Sequence, residues 1–154
     1  QPMAKPAATP RPPLPTLKHS TQYHDNGTVG IPDQLLFKQD HLTAVEMDTM
    51  RLHVEIGHRI AQSIPELAPM SDLLLKHHEW WNGQGYPLGL RETGIPLECR
   101  IFSIVDAYDA MTHDRPDRDA FSGKEAAAEL RRCAGSQFDP ELVEEFLRLI
   151  GEES

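Results

Sequence analysis

Apolar residues recur at helical spacing through most of the chain beyond residue 40. A first helix is predicted over Thr43–Ser63, because Thr43 and Glu46 form a capping box and apolar positions then return every three or four residues. Similar patterns predict a second helix over Pro69–Trp81 and a third over Pro96–His113. No segment alternates apolar and polar residues as a half-buried strand does, so we expect an all-α fold.

Two further helices are marked by their end signals. Ser122 is a capping residue with Glu125 at the position that closes a second capping box, and Gly135 ends that helix. Asp139 caps the last helix, which ends before Gly151. These patterns predict a helical domain of about five main helices. The apolar stripe of the third helix consists of Leu97, Ile101, Ile104, Val105, Tyr108 and Met111.

The composition divides the chain into a tail and a domain. Residues 1–17 contain six of the 13 prolines, which favours an extended, polyproline-like backbone. We therefore expect a proline-rich linker or tail over residues 1–21 and a single domain over residues 22–151. No apolar run approaches the roughly 18 residues of a membrane span, and the first residues lack the apolar stretch of a signal peptide. A cytoplasmic protein is expected.

The net charge restricts the class of partner, and the cysteines indicate the redox compartment. The net charge is −9, from 15 Lys+Arg against 24 Asp+Glu. So acidic a chain is a poor general binder of nucleic acid, and we expect no DNA partner. Cys99 and Cys133 lack CxxC spacing and lie in predicted helices, which is typical of buried thiols in a reducing compartment.

Several histidines and aspartates occupy positions where metal ligands are expected. His53 falls on the apolar face of the first helix, where an imidazole costs free energy unless it is hydrogen-bonded or ligating. Asp106 has apolar neighbours in the third helix, and a carboxylate in such a setting usually has a partner. The adjacent pair His77-His78, by itself, is more typical of two solvent histidines before a loop than of metal ligands. Nitrogen and oxygen donors without thiolate suit iron, manganese, zinc or nickel. The candidate ligands are His24, Asp25, His53, His77, His78 and Asp106.

Five short motifs occur in the order in which a known family carries them. They are His24-Asp25-Asn26-Gly27, Arg51-Leu52-His53, the run HHEWWNGQGYPLGL from His77 to Leu90, Val105-Asp106-Ala107-Tyr108-Asp109-Ala110-Met111-Thr112, and Phe138-Asp139-Pro140. This set resembles the HD-GYP domain, a branch of the HD phosphohydrolase superfamily. The resemblance implies an all-α HD-superfamily fold. It also implies an enzyme of bacterial second-messenger signalling, a metal-dependent phosphodiesterase that hydrolyses cyclic di-GMP.

The resemblance also implies roles for individual residues. The implied metal ligands are His24, Asp25, His53, His77, His78 and Asp106, of which the first two also count as catalytic. The implied cofactors are two divalent metal ions, iron or manganese. The implied substrate contacts are Gly85, Tyr86, Pro87, Arg115 and Arg118. The Gly85-Tyr86-Pro87 loop is further expected to contact a homodimer partner or a signalling protein.

Other chemically reactive or bulky residues match no functional position of the family. The histidines that we expect to lie on the surface or to serve packing are His19, His41, His58 and His113. Glu79, Trp80 and Trp81 are expected to be structural, and Arg100 fits either an ordinary surface charge or a role in the site.

Three departures from the family pattern predict weakened turnover. The family carries helices before its HD pair, one of which supplies a ligand to the Asp106 metal. We do not recognise them in the 23 residues before His24, so one metal site is expected to be weak. The lysine usual in the family is Thr28 here, and a usual tyrosine is Asp117. Losing one charged contact in a preorganised site costs about 10²–10³ in rate.

The sequence therefore predicts a cyclic di-GMP phosphodiesterase of reduced activity. Two alternatives remain. One is a degenerate module that binds cyclic dinucleotide or docks signalling partners without turnover. The other is an HD hydrolase of a different nucleotide, against which the Gly85-Tyr86-Pro87 loop argues.

Overall fold

The computed structural model describes residues 26–38, 40–114 and 119–152, and these form an all-α fold as predicted. No strand occurs within these ranges, and Ala134 and Phe138 form an isolated bridge. The α-helices are α1 (Asp33–Leu36), α2 (Ala44–Arg51), α3 (His53–Gln62), α4 (Ser71–Lys76), α5 (Leu97–Thr112), α6 (Gly123–Cys133) and α7 (Pro140–Ile150). Short 3-10 helices are Asn26–Gly30, Ala68–Met70 and Glu92–Gly94.

The first predicted helix is two helices, so the prediction of one continuous element over Thr43–Ser63 is wrong. Helix α2 ends at Arg51 and α3 begins at His53. Leu52, between them, keeps the right-handed helical values φ −63° and ψ −17°. Because the backbone stays helical at the junction, the apolar periodicity runs through it and the sequence pattern does not reveal the break. Helix α2 contains no fully buried residue, whereas α3 contains four.

The second predicted helix is shorter than expected. The pattern predicted Pro69–Trp81, but α4 ends at Lys76, so the two adjacent histidines lie in the turn that follows. Beyond that turn, the backbone N–H of Trp81 donates to the Gln137 carbonyl at 3.1 Å, and that of Asn82 donates to the Ser136 carbonyl at 2.9 Å. These bonds to a distant part of the chain replace the hydrogen bonds of a continuing helix.

The predicted ends of the last three helices are confirmed. Helix α6 begins with a complete capping box, in which the Ser122 side chain accepts from the Glu125 N–H and the Glu125 carboxylate accepts from the Ser122 N–H. Asp139 caps α7 by accepting from the N–H groups of Glu141 and Leu142. Gly151 follows α7 in the left-handed conformation, with φ 80°, which glycine adopts without steric cost.

The main hydrophobic core lies between α5, α6 and α7. Its buried members are Ile104, Met111, Ala126, Ala127, Leu130, Phe138, Val143 and Leu147. The apolar stripe predicted for the third helix is only partly buried, because Ile101 is 36% exposed and Val105 41% exposed. A second buried group, centred on Val54, Leu74 and Phe102, joins α3 and α4 to α5. His77 lies beside this second group, with its ring centre 5.8 Å from that of Phe102.

A largely buried ion pair between Arg100, which is partly buried, and Asp139 connects the start of α5 with the start of α7. Arg100 Nη1 donates to Asp139 Oδ2 at 2.8 Å, and Arg100 Nε donates to the Ile95 carbonyl at 3.0 Å. The guanidinium carbon also lies 5.9 Å from the centre of the Trp81 ring. Arg100 is therefore engaged within the fold, where it fixes the N-terminus of α7. None of the helices in the described ranges has the length and apolarity that crossing a bilayer requires.

Candidate metal centre

Three histidines from two separate segments converge on one point. His53 lies in the first turn of α3, and His77 and His78 lie in the turn after α4. One ring nitrogen of each lies within 4.8 Å of the corresponding nitrogens of the other two. The ring centres are 5.1 Å apart for His53 and His78, and 4.1 Å apart for His77 and His78. A trio of imidazoles at this spacing could hold one metal ion.

Backbone carbonyls orient two of these rings. Nδ1 of His53 lies 2.8 Å from the Met50 carbonyl, and Nδ1 of His77 lies 2.8 Å from the Leu74 carbonyl. A carbonyl only accepts, so each Nδ1 carries the proton and each Nε2 presents a lone pair. This is the arrangement in which histidine ligates a metal while an outer partner fixes its tautomer.

The Nε2 atom of His53 tests whether a metal fits. That atom is fully buried and has no hydrogen-bond partner among the described residues. A buried acceptor that lacks a donor costs about 1–3 kcal/mol. A neutral neighbouring imidazole brings no positive charge to this lone pair. A metal cation would bring one, so it is the partner that suits His53 Nε2. The donor set therefore fits a bound ion.

The 3-10 helix Asn26–Gly30 lies directly against α3. A Cβ atom added at Gly27 would overlap the carbonyl oxygen of His53, so only glycine permits this approach. The pair His24-Asp25 immediately precedes this segment in the sequence, but both residues lie outside the described ranges. Arg115, Asp117 and Arg118 also lie outside the described ranges. Their predicted roles remain predictions.

A cavity of about 200 Å³ opens beside the histidines, between the turn after α4 and helix α5. Asp106 lines this cavity together with His77 and His78. Its side chain is exposed, contrary to the burial that its apolar sequence neighbours suggested, because it occupies the face of α5 that borders the cavity. Asp106 is not part of the tight histidine cluster.

The Gly85-Tyr86-Pro87 loop folds back onto the histidine pair. The Tyr86 ring stacks on the His78 imidazole with centres 4.9 Å apart and an interplanar angle of 20°. The Tyr86 N–H donates to the His78 carbonyl at 3.1 Å, and the Arg51 guanidinium lies 5.2 Å from the Tyr86 ring centre. A Cβ at Gly85 would overlap the backbone at Trp80, so glycine is required there for close packing. The loop thereby supports the ring of a candidate ligand.

Glu79 is a buried carboxylate that fixes the same loop. It is 3% exposed, and its two oxygens accept from the backbone N–H groups of Leu88 at 2.6 Å and Leu90 at 2.9 Å. The structural role expected for Glu79 thus has a specific form, a clamp between the histidine turn and the far side of the loop. The sequence signal for it was a carboxylate placed directly between two histidines and two tryptophans.

The remaining histidines and the cysteines lie apart from the cluster. Nδ1 of His58 bonds to the Ser71 carbonyl at 2.9 Å, which is a packing role, while His41 and His113 are exposed. His19 lies outside the described residues. Cys99 is a free, buried thiol, and burial raises its pKa to about 12. Cys133 is also free, and burial raises the pKa of its thiol too. Neither thiol belongs to the histidine cluster.

An all-α domain that places three oriented imidazoles beside a carboxylate-lined cavity has the features of a metal-dependent hydrolase. The sequence profile of the HD domain family matches residues 2–142, and the chain belongs to that family. The resemblance to its HD-GYP branch, inferred from the motifs, is confirmed by relatives of known function. A cyclic di-GMP phosphodiesterase of Thermotoga maritima is 38% identical over 135 residues, which cover 86% of this chain and 37% of that protein.

A second relative, a cyclic di-GMP phosphodiesterase of Vibrio cholerae, is 40% identical over 139 residues, which cover 85% of this chain and 28% of that protein. Among solved structures, a cyclic GMP-AMP-specific phosphodiesterase of Vibrio cholerae aligns with a TM-score of 0.64 and 20% identity, over 88% of this chain and 38% of that chain. This structural likeness confirms the fold. The chain spans about a third of the length of these relatives.

Proposed function

We propose that this protein is a metal-dependent phosphodiesterase that hydrolyses cyclic di-GMP. The observation that carries the proposal is the convergence of His53, His77 and His78 beside a cavity that Asp106 also lines. The relatives that are named cyclic di-GMP phosphodiesterases support the choice of substrate. The alignments with these two relatives cover 86% and 85% of this chain.

The proposed metal centre combines described and undescribed residues. Its proposed ligands are His24, Asp25, His53, His77, His78 and Asp106. When bound, two divalent ions, for which we propose iron or manganese, would supply Lewis acidity and a nucleophile derived from water. The unpaired His53 Nε2 supports one tight site. Asp106, which lies outside the histidine cluster, is the proposed ligand of a second, weaker site.

The chain's own residues would hold the metal ions and orient the substrate. The Met50 and Leu74 carbonyls fix the tautomers of His53 and His77, so both rings are preorganised as acceptors toward the centre. His24 and Asp25 are the proposed catalytic residues. The proposed substrate contacts are Gly85, Tyr86, Pro87, Arg115 and Arg118, of which the arginines suit the phosphates because a guanidinium pairs with phosphate oxygens through two parallel hydrogen bonds.

We propose that turnover is reduced by Thr28 and Asp117. Thr28 belongs to the 3-10 helix that packs against the first turn of α3, so this position is close to the backbone of His53. A lysine here would bring a cation toward the proposed centre, whereas threonine brings none. Such a loss weakens charge stabilisation in the transition state more than ground-state binding.

The direct test is hydrolysis of cyclic di-GMP by the purified protein with added manganese or ferrous iron. We expect slow hydrolysis, which a chelator abolishes. His78→Ala and Asp25→Asn are each expected to abolish turnover, while the matched control His41→Ala, at an exposed histidine outside the cluster, retains it. Thr28→Lys is expected to raise the rate more than the affinity.

The outcomes also separate the alternatives. Binding of cyclic di-GMP without turnover at any metal would replace the enzyme with a degenerate binding module. Faster hydrolysis of a different nucleotide would favour an HD hydrolase of other specificity. Equal turnover by His78→Ala and the parent would show that the proposed metal centre does not catalyse the hydrolysis.

We also propose that a second copy of the chain or a signalling protein contacts the Gly85-Tyr86-Pro87 loop. The proposed location is a reducing cytoplasm, where Cys99 and Cys133 stay free thiols. The Tyr86 ring faces His78, so the apolar surface available at this loop is that of Leu88, which is 56% exposed. Leu88→Asp is expected to lower the association constant in sedimentation equilibrium. An unchanged association constant would exclude contact through the loop.

A further inference from the structure

Besides the histidines and Asp106, the lining of the cavity includes an aromatic ring and an amide. Trp80 and Gln137 both line the cavity that His77 and His78 line. Trp80 is 36% exposed, although tryptophan is among the most apolar surfaces that a chain can bury. Its neighbour Trp81 is less exposed and lies near Arg100. Core packing therefore accounts for Trp81 and leaves the partial exposure of Trp80 unexplained.

The two side chains are held in a fixed relation by the backbone. The N–H of Trp81 donates to the Gln137 carbonyl at 3.1 Å, and the N–H of Asn82 donates to the Ser136 carbonyl at 2.9 Å. The Gln137 N–H in turn donates to the Cys133 carbonyl at 3.0 Å at the end of α6. These bonds join the histidine turn to the connection between α6 and α7, so the wall is preorganised.

The polar groups of this wall are available to a ligand. Neither the indole N–H of Trp80 nor the side-chain amide of Gln137 has a hydrogen bond to any residue that the structure describes. Among the described lining residues there is no lysine or arginine. The wall therefore suits a flat, neutral, hydrogen-bonding group better than a phosphate.

We infer that Trp80 and Gln137 form a subsite for one purine base of the cyclic dinucleotide, with Trp80 stacking on the base and Gln137 bonding to its edge. An indole offers a stacking surface to any base, and a carboxamide offers a donor and an acceptor side by side, as a purine edge requires. This inference rests on the proposed function, because it deepens the recognition of the same substrate. Trp80 and Gln137 contribute to base recognition, whereas the histidine cluster would hold the metal that polarises the phosphate.

The test uses the two tryptophans of the chain as separate reporters. Trp81→Phe leaves Trp80 as the sole tryptophan, and Trp80→Phe leaves Trp81. Cyclic di-GMP is mixed with each protein, and the emission is recorded by stopped flow before turnover. We expect quenching in the protein that retains Trp80 and little change in the protein that retains Trp81. Quenching confined to Trp81 would overturn the inference.

Equilibrium binding supplies the second readout. Trp80→Ala is expected to weaken cyclic di-GMP binding about 5- to 150-fold, the range observed for loss of one stacked base, and Trp80→Phe to recover most of it. GMP and ribose 5-phosphate, compared as competitors, separate the base from the phosphate. The preference for GMP is expected to fall in Trp80→Ala and in Gln137→Ala.

Two failures are distinguishable. If the parent protein neither binds nor hydrolyses cyclic di-GMP, the proposed function fails and this subsite falls with it. If the parent binds cyclic di-GMP and Trp80→Ala binds equally well, with an unchanged preference for GMP, only the base subsite is wrong. Metal titration of Trp80→Ala is the control, because parent-like metal affinity would show that its histidine cluster is still assembled.

Discussion

The Tyr86 ring lies almost parallel to the His78 imidazole, at 4.9 Å between ring centres. Tyr86 therefore packs against one face of a candidate metal ligand. The Tyr86 N–H also donates to the carbonyl of His78 itself, so ring and backbone are fixed together. The Gly85-Tyr86-Pro87 loop is therefore part of the structure that orients the histidine cluster. Outer partners of ligating histidines typically affect metal affinity about 10- to 100-fold.

From this contact we predict that Tyr86→Ala lowers the affinity for manganese by about 10-fold or more, because the His78 ring gains freedom. Tyr86→Phe keeps the aromatic face and should bind nearly as well as the parent. Calorimetric titration measures both, and Phe37→Ala, at a 77% exposed aromatic residue, serves as the matched control. Parent-like metal affinity in Tyr86→Ala would contradict the supporting role.

Glu79 should be essential to the order of the loop. In Glu79→Gln, one oxygen can still accept from Leu88 or Leu90, but the new amide group opposes the other backbone N–H. We expect a loss on the order of 1–3 kcal/mol in the free energy of unfolding, and faster hydrogen exchange at one of the two amides. Urea unfolding and exchange spectra measure these. Glu66→Gln, at an exposed position, should change neither.

The ion pair between Arg100 and Asp139 should contribute more than any surface pair. The Asp139 side chain is 5% exposed and also caps α7, so Asp139→Ala leaves Arg100 partly buried without its partner and α7 without its cap. The expected loss is about 3–5 kcal/mol in the free energy of unfolding. Asp139→Asn preserves the cap and should lose less. Breaking the exposed pair of Arg148 and Glu145 with Glu145→Ala is the control, and a similar loss there would refute the difference.

The Cys99 thiol predicts how stability depends on alkaline pH. Burial raises its pKa from 9.0 to about 12, so between these values the unfolded chain ionises while the folded thiol stays protonated. The unfolded state then binds fewer protons, and stability falls as pH rises through this window, by at most about 1.4 kcal/mol per pH unit. The parent and Cys99→Ala are compared by urea unfolding between pH 8 and roughly pH 11. Equal slopes would show that Cys99 does not titrate in this way.

Local signals determined much of the fold. The capping boxes at Thr43 and Ser122 and the cap at Asp139 are present as the sequence predicts, because each depends on hydrogen bonds within three residues. The motifs also identified His53, His77 and His78, which the structure brings together. Hydrogen bonds that close within one helical turn can be predicted from one sequence. A set of motifs rich in histidine and aspartate can likewise indicate a metal site.

Tertiary structure alone decided where the helices around the site end. The exit of the chain at Lys76 depends on hydrogen bonds from Trp81 and Asn82 to residues more than fifty positions away, and no local pattern encodes such partners. The clamp formed by Glu79, the exposure of Asp106 to the cavity and the presence of Trp80 and Gln137 in one cavity lining arise in the same way. The motifs identified the groups that could perform the proposed chemistry. Packing between distant segments decided which of them share a cavity, because side-chain direction depends on how the helices pack and on where each one ends.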